Sequence, residues 1–177
     1  SLAAILSLDY KDRYILDGLY RSDNVSLFGP NVRTQEFFRV SGAYRISKDL
    51  DINDINELKI RASYGTAGLL PPFGAWQDNF SVSNGIATAN IVGNPNLGPY
   101  MSKEFEAGLD FKIFDRITGT FSYSEAKNEG QVLTVPLPAL VNGGSQYQNA
   151  GTLETKSYEG TLGIDIIKDN ADMSWRS

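Results

Sequence analysis

The stretch Lys103–Ile113, KEFEAGLDFKI, decides the fold of this chain, because its polar and apolar residues alternate strictly. One parity carries apolar residues: Phe105, Ala107, Leu109, Phe111 and Ile113. The other carries Glu104, Glu106, Gly108, Asp110 and Lys112. Side chains of a β-strand point to opposite faces with a period of two, so the stretch predicts a strand with one apolar and one polar face.

The same alternation recurs elsewhere in the chain. In Glu57–Tyr64, leucine, isoleucine, alanine and tyrosine alternate with charged or hydroxyl residues. Five residues of the predicted first strand likewise share one face: Leu2, Ala4, Leu6, Leu8 and Tyr10. About eight strands are predicted in all, over residues 2–10, 14–22, 36–47, 57–65, 102–113, 117–125, 153–168 and 173–177. A soluble β-sandwich uses strands of this kind too, so alternation alone does not identify what the apolar faces contact.

The connections between the predicted strands alternate in length. Short connections span residues 11–13, 48–56, 114–116 and 169–172, and long connections span 23–35, 66–101 and 126–152. Loops beyond about 12–15 residues are uncommon in compact domains. Short links at one end and long loops at the other are typical of an outer-membrane barrel, with brief periplasmic turns and extended extracellular loops. Several predicted strands also reach the 9–11 residues that a tilted bilayer crossing needs.

Composition excludes several classes of protein. The chain has 177 residues and a net charge of −5 with no basic run, so we expect no nucleic-acid partner. It contains no cysteine and no histidine, which removes thiolate sites and the commonest general base. Glu104 and Glu106 are better interpreted as a solvated strand face than as a glycosidase pair. We therefore predict no enzyme activity, no metal site and no cofactor.

Four stretches resemble elements of one transporter family. They are Arg39–Ser47 (RVSGAYRIS), Leu58–Gly68 (LKIRASYGTAG), Asn94–Leu97 (NPNL) followed by Ser102–Phe111, and Asn149–Gly151 with Lys156 and Glu159. Together and in this order they are similar to the C-terminal barrel of SusC/RagA-type TonB-dependent outer-membrane transporters from Bacteroidetes. Tyr44 and Ser157 depart from the family pattern, since tryptophan and glycine are usual at those positions.

The resemblance implies a fold and a function. The fold is all-β, an antiparallel up-and-down transmembrane barrel of about 22 strands with a plugged lumen, of which residues 1–177 supply about eight strands. The plug domain is expected to lie outside this chain. The whole protein would import a bulky nutrient, an oligosaccharide or a peptide, across the outer membrane of a Gram-negative bacterium. TonB would drive it with proton-motive force, acting through the plug region, and a SusD-like surface lipoprotein would cover its mouth.

Two sets of candidate functional residues follow. Charged residues on the polar parity of two strands are expected to face the lumen: Lys59, Arg61, Glu104, Glu106 and Asp110. Aromatic residues of the long loops are expected either to contact the nutrient or the lipoprotein lid or to anchor the loops against one another: Phe73, Trp76, Phe80, Tyr100 and Tyr147. The apolar parity would face outer-membrane lipid.

Two alternatives remain open from the sequence. A soluble β-sandwich that binds carbohydrate would bury its apolar faces against each other. A passive porin would share the strand pattern and lack the four family stretches.

Overall fold

The computed structural model describes residues 1–50, 52–138, 144–170 and 173–176, and the strands within them form one sheet. The ten strands are β1 (Leu2–Tyr10), β2 (Tyr14–Asn24), β3 (Thr34–Arg45), β4 (Ile55–Leu69), β5 (Asn79–Ser83), β6 (Ile86–Val92), β7 (Tyr100–Ile113), β8 (Ile117–Pro136), β9 (Ser145–Asn170) and β10 (Met173–Arg176). A single 3₁₀ turn, Ile46–Lys48, follows β3. No helix in these ranges is long and apolar enough to cross a membrane.

The sheet follows the up-and-down order expected of a barrel. Its strands lie in the order β1-β2-β3-β4-β7-β8-β9-β6-β5, and β10 pairs with β9. Neighbours are antiparallel except for β6 and β9, which pair in parallel through Ile91–Ser145 and Val92–Gln146. The result is part of a barrel, so the predicted all-β antiparallel fold is confirmed.

The register keeps the two parities apart across the sheet. Lys59 pairs with Asp110, and the next residues, Ile60 and Leu109, pair with each other and point to the opposite side. We call the side of Lys59 the polar face and the side of Ile60 the apolar face. Ile60 is 44% exposed and Leu162 63% exposed on the apolar face. This face has no second layer over it in the part of the chain described, so the sandwich alternative is wrong.

Three strands extend further than the sequence predicts. β4 ends at Leu69, β8 ends at Pro136, and β9 begins at Ser145. The predictions of 57–65, 117–125 and 153–168 therefore miss strand segments on the side of the long connections. These segments carry polar residues on both faces, as in Lys127–Gly130, so their composition resembles a loop while their backbones remain paired.

The long connection between β4 and β7 also contains a hairpin that the sequence analysis missed. β5 and β6 are joined by Asn84-Gly85, whose φ angles are +52° and +78°. Asn-Gly is the dipeptide that two-residue hairpin turns favour, because both of its residues must adopt positive φ. This signal was present in the sequence, but the surrounding segment lacks the strong alternation of the other strands.

Asp49 ties together strands at the end with the short turns. Its carboxylate accepts hydrogen bonds of 3.0 Å from the hydroxyls of both Tyr14 and Tyr44, and it also pairs with Arg13. Partial removal from water raises the pKa of Asp49, but the two tyrosine hydrogen bonds and the Arg13 charge outweigh this, so the pKa lies below its usual value. The two tyrosine rings stack with centroids 4.8 Å apart.

The buried core lies mainly among the long connections, and β3 contributes Phe37 to it. The buried hydrophobic residues of the described chain are Phe28, Phe37, Ala75 and Leu97. We call this group the loop core. Leu97, which is 0% exposed, ends the NPNL stretch, and Phe28 comes from the connection between β2 and β3. The NPNL stretch is therefore a packing element.

Hydrogen bonds through the NPNL stretch join the long connections to each other. The amide of Gly29 donates to the carbonyl of Leu97 at 2.8 Å, and a Cβ at Gly29 would lie 2.1 Å from the Pro95 carbonyl oxygen, so only glycine fits there. From β9, Asn149 accepts a hydrogen bond from the Gly98 amide at 2.8 Å and donates to the Gly130 carbonyl at 2.9 Å. Two stretches that resemble the family thus meet in one network.

Leu97→Ala should loosen the loop core without disturbing the sheet. A buried leucine replaced by alanine costs about 2–5 kcal/mol, and here the loss should appear as local unfolding. In the intact parent protein, hydrogen exchange at the Gly29 amide should speed up, while exchange in the β7–β8 ladder stays unchanged. Leu70→Ala is the matched control, because Leu70 is 57% exposed in the same connection. Equal effects of the two substitutions would contradict a loop core centred on Leu97.

Candidate functional site

Four of the five predicted lumen-facing residues form one ion-pair cluster on the polar face. Arg61 pairs with Glu106, lies 3.7 Å from Asp110 and donates a 2.6 Å hydrogen bond to the Ser122 hydroxyl. Lys59 lies 3.3 Å from Asp110. The cluster spans three neighbouring strands, β4, β7 and β8, and balances two positive charges with two negative ones.

Gly108 makes room for this cluster. It pairs directly with Arg61, and a Cβ at this position would lie 2.7 Å from the guanidinium carbon. The Arg61 side chain therefore lies across the strand where a neighbouring side chain would otherwise stand. The sequence pattern alone shows Gly108 as one more polar-parity residue and gives no sign of this contact.

Glu104, the fifth predicted residue, lies apart from the cluster. It pairs in register with Gly65, which in turn pairs with Arg39 of β3. Two hollows of about 440 and 390 Å³ open on the polar face around these strands, and both are lined by Arg39, Ser63 and Glu106. The larger hollow includes Glu104 in its lining.

The predicted loop aromatics divide into two groups. Phe73 and Phe80 are 93% and 57% exposed. Trp76, Tyr100 and Tyr147 are half-buried. The Trp76 indole donates a 3.1 Å hydrogen bond to the Ser26 carbonyl, and the Tyr147 carbonyl accepts one of 2.9 Å from Asn94.

The β5–β6 hairpin presents an exposed apolar side. Phe80 pairs with Ala89 and Val82 pairs with Ala87, so these four residues share one side of the hairpin. Ser81 and Thr88 pair on the other side, and Ser81 is hydrogen-bonded to Asn90. The Val82 side chain is 73% exposed, more than that of Phe80. An exposed apolar surface of this kind is typical of a contact with another molecule.

The apolar face is bounded by aromatic residues towards both ends. Tyr10, Tyr14 and Tyr44 lie in one row near the short turns. A second group lies towards the long connections: Phe38, Tyr64, Phe105, Tyr123 and Tyr158. Rings within each group are in contact. In the first group Tyr14 contacts both Tyr10 and Tyr44, and in the second Tyr123 contacts Tyr158. The register thus assembles these aromatic residues into two bands.

A belt of charges follows the second aromatic band on the same face. It consists of Lys103, Glu125, Lys127, Glu129, Glu154 and Lys156. Glu129 pairs with Lys103 at 2.5 Å and with Lys127 at 2.8 Å, and Glu125 lies 3.6 Å from Lys156. The sequence analysis missed this belt because it placed residues beyond 125 in a loop. The belt therefore marks where the apolar face ends along the strands, on the side of the long connections.

A metal site would need several acidic, histidine or cysteine side chains close together within the described ranges. No set of three or more aspartate, glutamate, histidine or cysteine residues in those ranges is arranged to bind one.

Solved structures with the same fold were found by comparison. The chain is similar to a chain in the structure titled "RagAB peptide importer in the 'open-open' state", with a TM-score of 0.87, 23% identity, and coverage of 97% of this chain and 20% of that one. It also matches the siderophore receptor PirA from Pseudomonas aeruginosa, with a TM-score of 0.63, 17% identity, and coverage of 98% and 32%. At these identities the similarity establishes the fold alone.

Curated relatives were found in Formosa agariphila. TonB-dependent receptor P26 is 28% identical over 97% of this chain and 19% of its own length. TonB-dependent receptor P3 is 32% identical over 96% of this chain and 18% of its own length. The chain thus spans about a fifth of the relatives that it matches. Both are named as receptors and neither as an enzyme or a porin.

The family model described as "TonB dependent receptor-like, beta-barrel" matches residues 1–177, the whole chain. The resemblance to SusC/RagA-type barrels seen in the sequence is consistent with this match and with the RagAB fold. The chain therefore belongs to the TonB-dependent receptor β-barrel family.

Proposed function

We propose that this chain forms part of the wall and the extracellular mouth of an outer-membrane transporter that imports a bulky nutrient, an oligosaccharide or a peptide. The observation that carries the proposal is the sheet itself, which has an uncovered apolar face and a charged opposite face. Family membership supports the same function, since barrels of this family lie in the outer membrane of Gram-negative bacteria.

The apolar face contacts lipid in this proposal. Leu109 stands between Ile60 and Phe121 in the middle of this face, and aromatic bands lie on either side along the strands. Outer-membrane barrels show an outward apolar band about 25 Å tall between two aromatic girdles. Aromatic rings favour the interface between apolar chains and water. The charged belt beyond the second band then lies in the aqueous and headgroup region.

The polar face lines the lumen. The cluster around Arg61 keeps this wall charged but locally neutral, which suits a water-filled or plugged interior better than lipid. Lys59, Arg61, Glu104, Glu106 and Asp110 are then lumen residues, as the sequence analysis expected. The long connections lie outside the cell, and the loop core holds them in a fixed arrangement at the mouth.

Energy and opening come from parts of the whole protein that this chain does not include. The chain spans about a fifth of its curated relatives, and these are named for their dependence on TonB. We infer that TonB acts through a plug region and transmits proton-motive force to it. One fold relative is titled a peptide importer, which supports a bulky nutrient as the cargo.

The exposed apolar surface at the mouth is proposed as a contact for a SusD-like surface lipoprotein. Phe73 and the hairpin side formed by Phe80 and Val82 are exposed and lack charge. Burying such residues stabilises an interface by roughly 25 cal/mol per Å² of apolar area. Trp76 lies in the same long connection as Phe73, whereas Tyr100 begins β7 and Tyr147 lies near the start of β9.

Leu109→Arg tests whether the apolar face meets lipid. In the full-length transporter folded into phospholipid vesicles, this substitution should lower the free energy of unfolding by about 2–4 kcal/mol. Leu133→Arg is the matched control, since Leu133 lies on β8 beyond the charged belt and is 42% exposed. The control should change stability by less than about 0.5 kcal/mol. A Leu109→Arg protein as stable as the control would mean that no lipid surrounds Leu109.

Phe80→Ser tests the contact with the lipoprotein. When the transporter is purified from its native membrane, the variant should retain at least several-fold less lipoprotein than the wild type, because an apolar anchor of an interface is lost. Leu133→Ser, another exposed apolar residue replaced in the same way, should retain the wild-type amount. Full retention by the Phe80 variant would remove the hairpin from the interface.

Active import is tested in cells that carry the intact transporter. Labelled oligosaccharide or peptide should accumulate only while TonB is functional, and a protonophore should abolish accumulation. Uptake that persists without TonB would contradict active import and would indicate a passive pore.

A further inference from the structure

We propose that Arg39 and Glu104 flank a subsite for a peptide, a ligand that carries an ammonium group and a carboxylate group together. This inference rests on the proposed import function. It adds the class of substrate and two residues that contact it.

The two charged residues lie on either side of a glycine on the polar face. Arg39 of β3 and Glu104 of β7 each pair with Gly65 of β4, so their Cα atoms are two strand spacings apart, roughly 10 Å. Gly65 presents no side chain between them. A Cβ there would already lie 3.3 Å from Cγ of Arg39, so any larger residue would close the gap.

The guanidinium of Arg39 has no acidic partner among the described residues. Every other cation of the polar face that the structure describes has an acidic partner: Arg21, Arg45, Lys59, Arg61 and Lys112. Within the described ranges Arg39 has neither an ion pair nor a side-chain hydrogen bond, and the same holds for Glu104. Both side chains are exposed on the wall. They are therefore available to a ligand without breaking an existing pair.

The cluster around Arg61 has the same arrangement of charged residues beside a glycine, but there the charges are paired with each other. There the guanidinium lies across Gly108 and pairs with carboxylates of β7. At Gly65 the corresponding gap is open, and its flanking charges have no protein partner. Gly65 lies four residues beyond Arg61 along β4, roughly 13 Å nearer the long connections. The open gap is thus on the side from which an external ligand arrives.

The surrounding hollow suits a peptide backbone. It measures about 440 Å³, within the range of small-ligand sites. Besides the two charges, its lining includes the polar-face hydroxyl residues Ser63 and Ser102. Hydroxyl groups both donate and accept hydrogen bonds, so they match the N–H and C=O groups of peptide bonds.

The two charges discriminate against a glycan at this position. A neutral oligosaccharide would cover both charged groups without pairing either, which costs free energy. An acidic glycan would pair with Arg39 and be repelled by Glu104. A peptide satisfies both groups at once, and specificity arises because the other ligands do not.

The test uses the intact transporter, purified in detergent, and isothermal titration with tri-alanine, N-acetyl-tri-alanine and tri-alanine amide. These probes have no charged side chains, so they differ only at their ends. The wild type should bind tri-alanine at least about tenfold more tightly than either derivative, because each derivative loses a hydrogen bond between charged groups.

Two substitutions should remove the two preferences separately. Arg39→Gln should bind tri-alanine and its amide equally while still preferring the free amino terminus. Glu104→Gln should show the reverse. Arg45→Gln is the matched control, because Arg45 lies on the same strand and face but pairs with Asp12. It should keep both preferences. Selective loss of one preference is not a consequence of misfolding.

The outcomes separate this inference from the function on which it rests. Equal binding of the three probes by the wild type, or unchanged preferences in both variants, would overturn the subsite. Binding of neutral maltohexaose with no binding of tri-alanine would overturn it in favour of a glycan, while import would stand. Uptake independent of TonB would instead overturn active import, and the binding preferences would still decide the subsite.

Discussion

The antiparallel ladder through β4, β7, β8 and β9 is the constraint on which the rest of the molecule depends. Each step along a strand reverses the direction of the side chain, and the register carries that parity from strand to strand. A slip of one residue between β4 and β7 would move Asp110 to the side of Ile60, away from Arg61, and would move Leu109 to the polar face. The register between strands therefore determines the residues of both faces at once.

A single sheet with one apolar face encloses no hydrophobic core of its own. In a soluble protein the apolar face would define the core, but here the buried residues gather where the long connections meet. Phe28, Ala75 and Leu97 come from segments far apart in sequence, and they are buried among the long connections together with Phe37 of β3. The apolar face of the sheet has no cover within the described residues, whereas the loop core is buried by the chain itself.

Parts of this arrangement follow from the sequence and parts do not. Strict alternation in Lys103–Ile113 predicts β7, and the tight links at 11–13 and 114–116 predict the β1–β2 and β7–β8 hairpins. Alternation fails beyond Glu125, where both faces carry polar residues and no pattern separates strand from loop. Residue spacing predicts that Lys59, Arg61, Glu104, Glu106 and Asp110 share a face, but not that Arg61 lies across Gly108 or that Glu104 lies apart from the ion pairs.

The parallel contact between β6 and β9 has a consequence for how the chain acquires its structure. β6 attaches to the first residues of β9, and the neighbouring hydrogen bond from Asn94 to Tyr147 spans 53 residues. Hairpins such as β7–β8 close short loops and need little ordering of the chain beforehand. Contacts of long sequence separation form slowly, because the entropy of loop closure precedes any gain. The loop core is thus expected to form last, after the hairpins of the sheet.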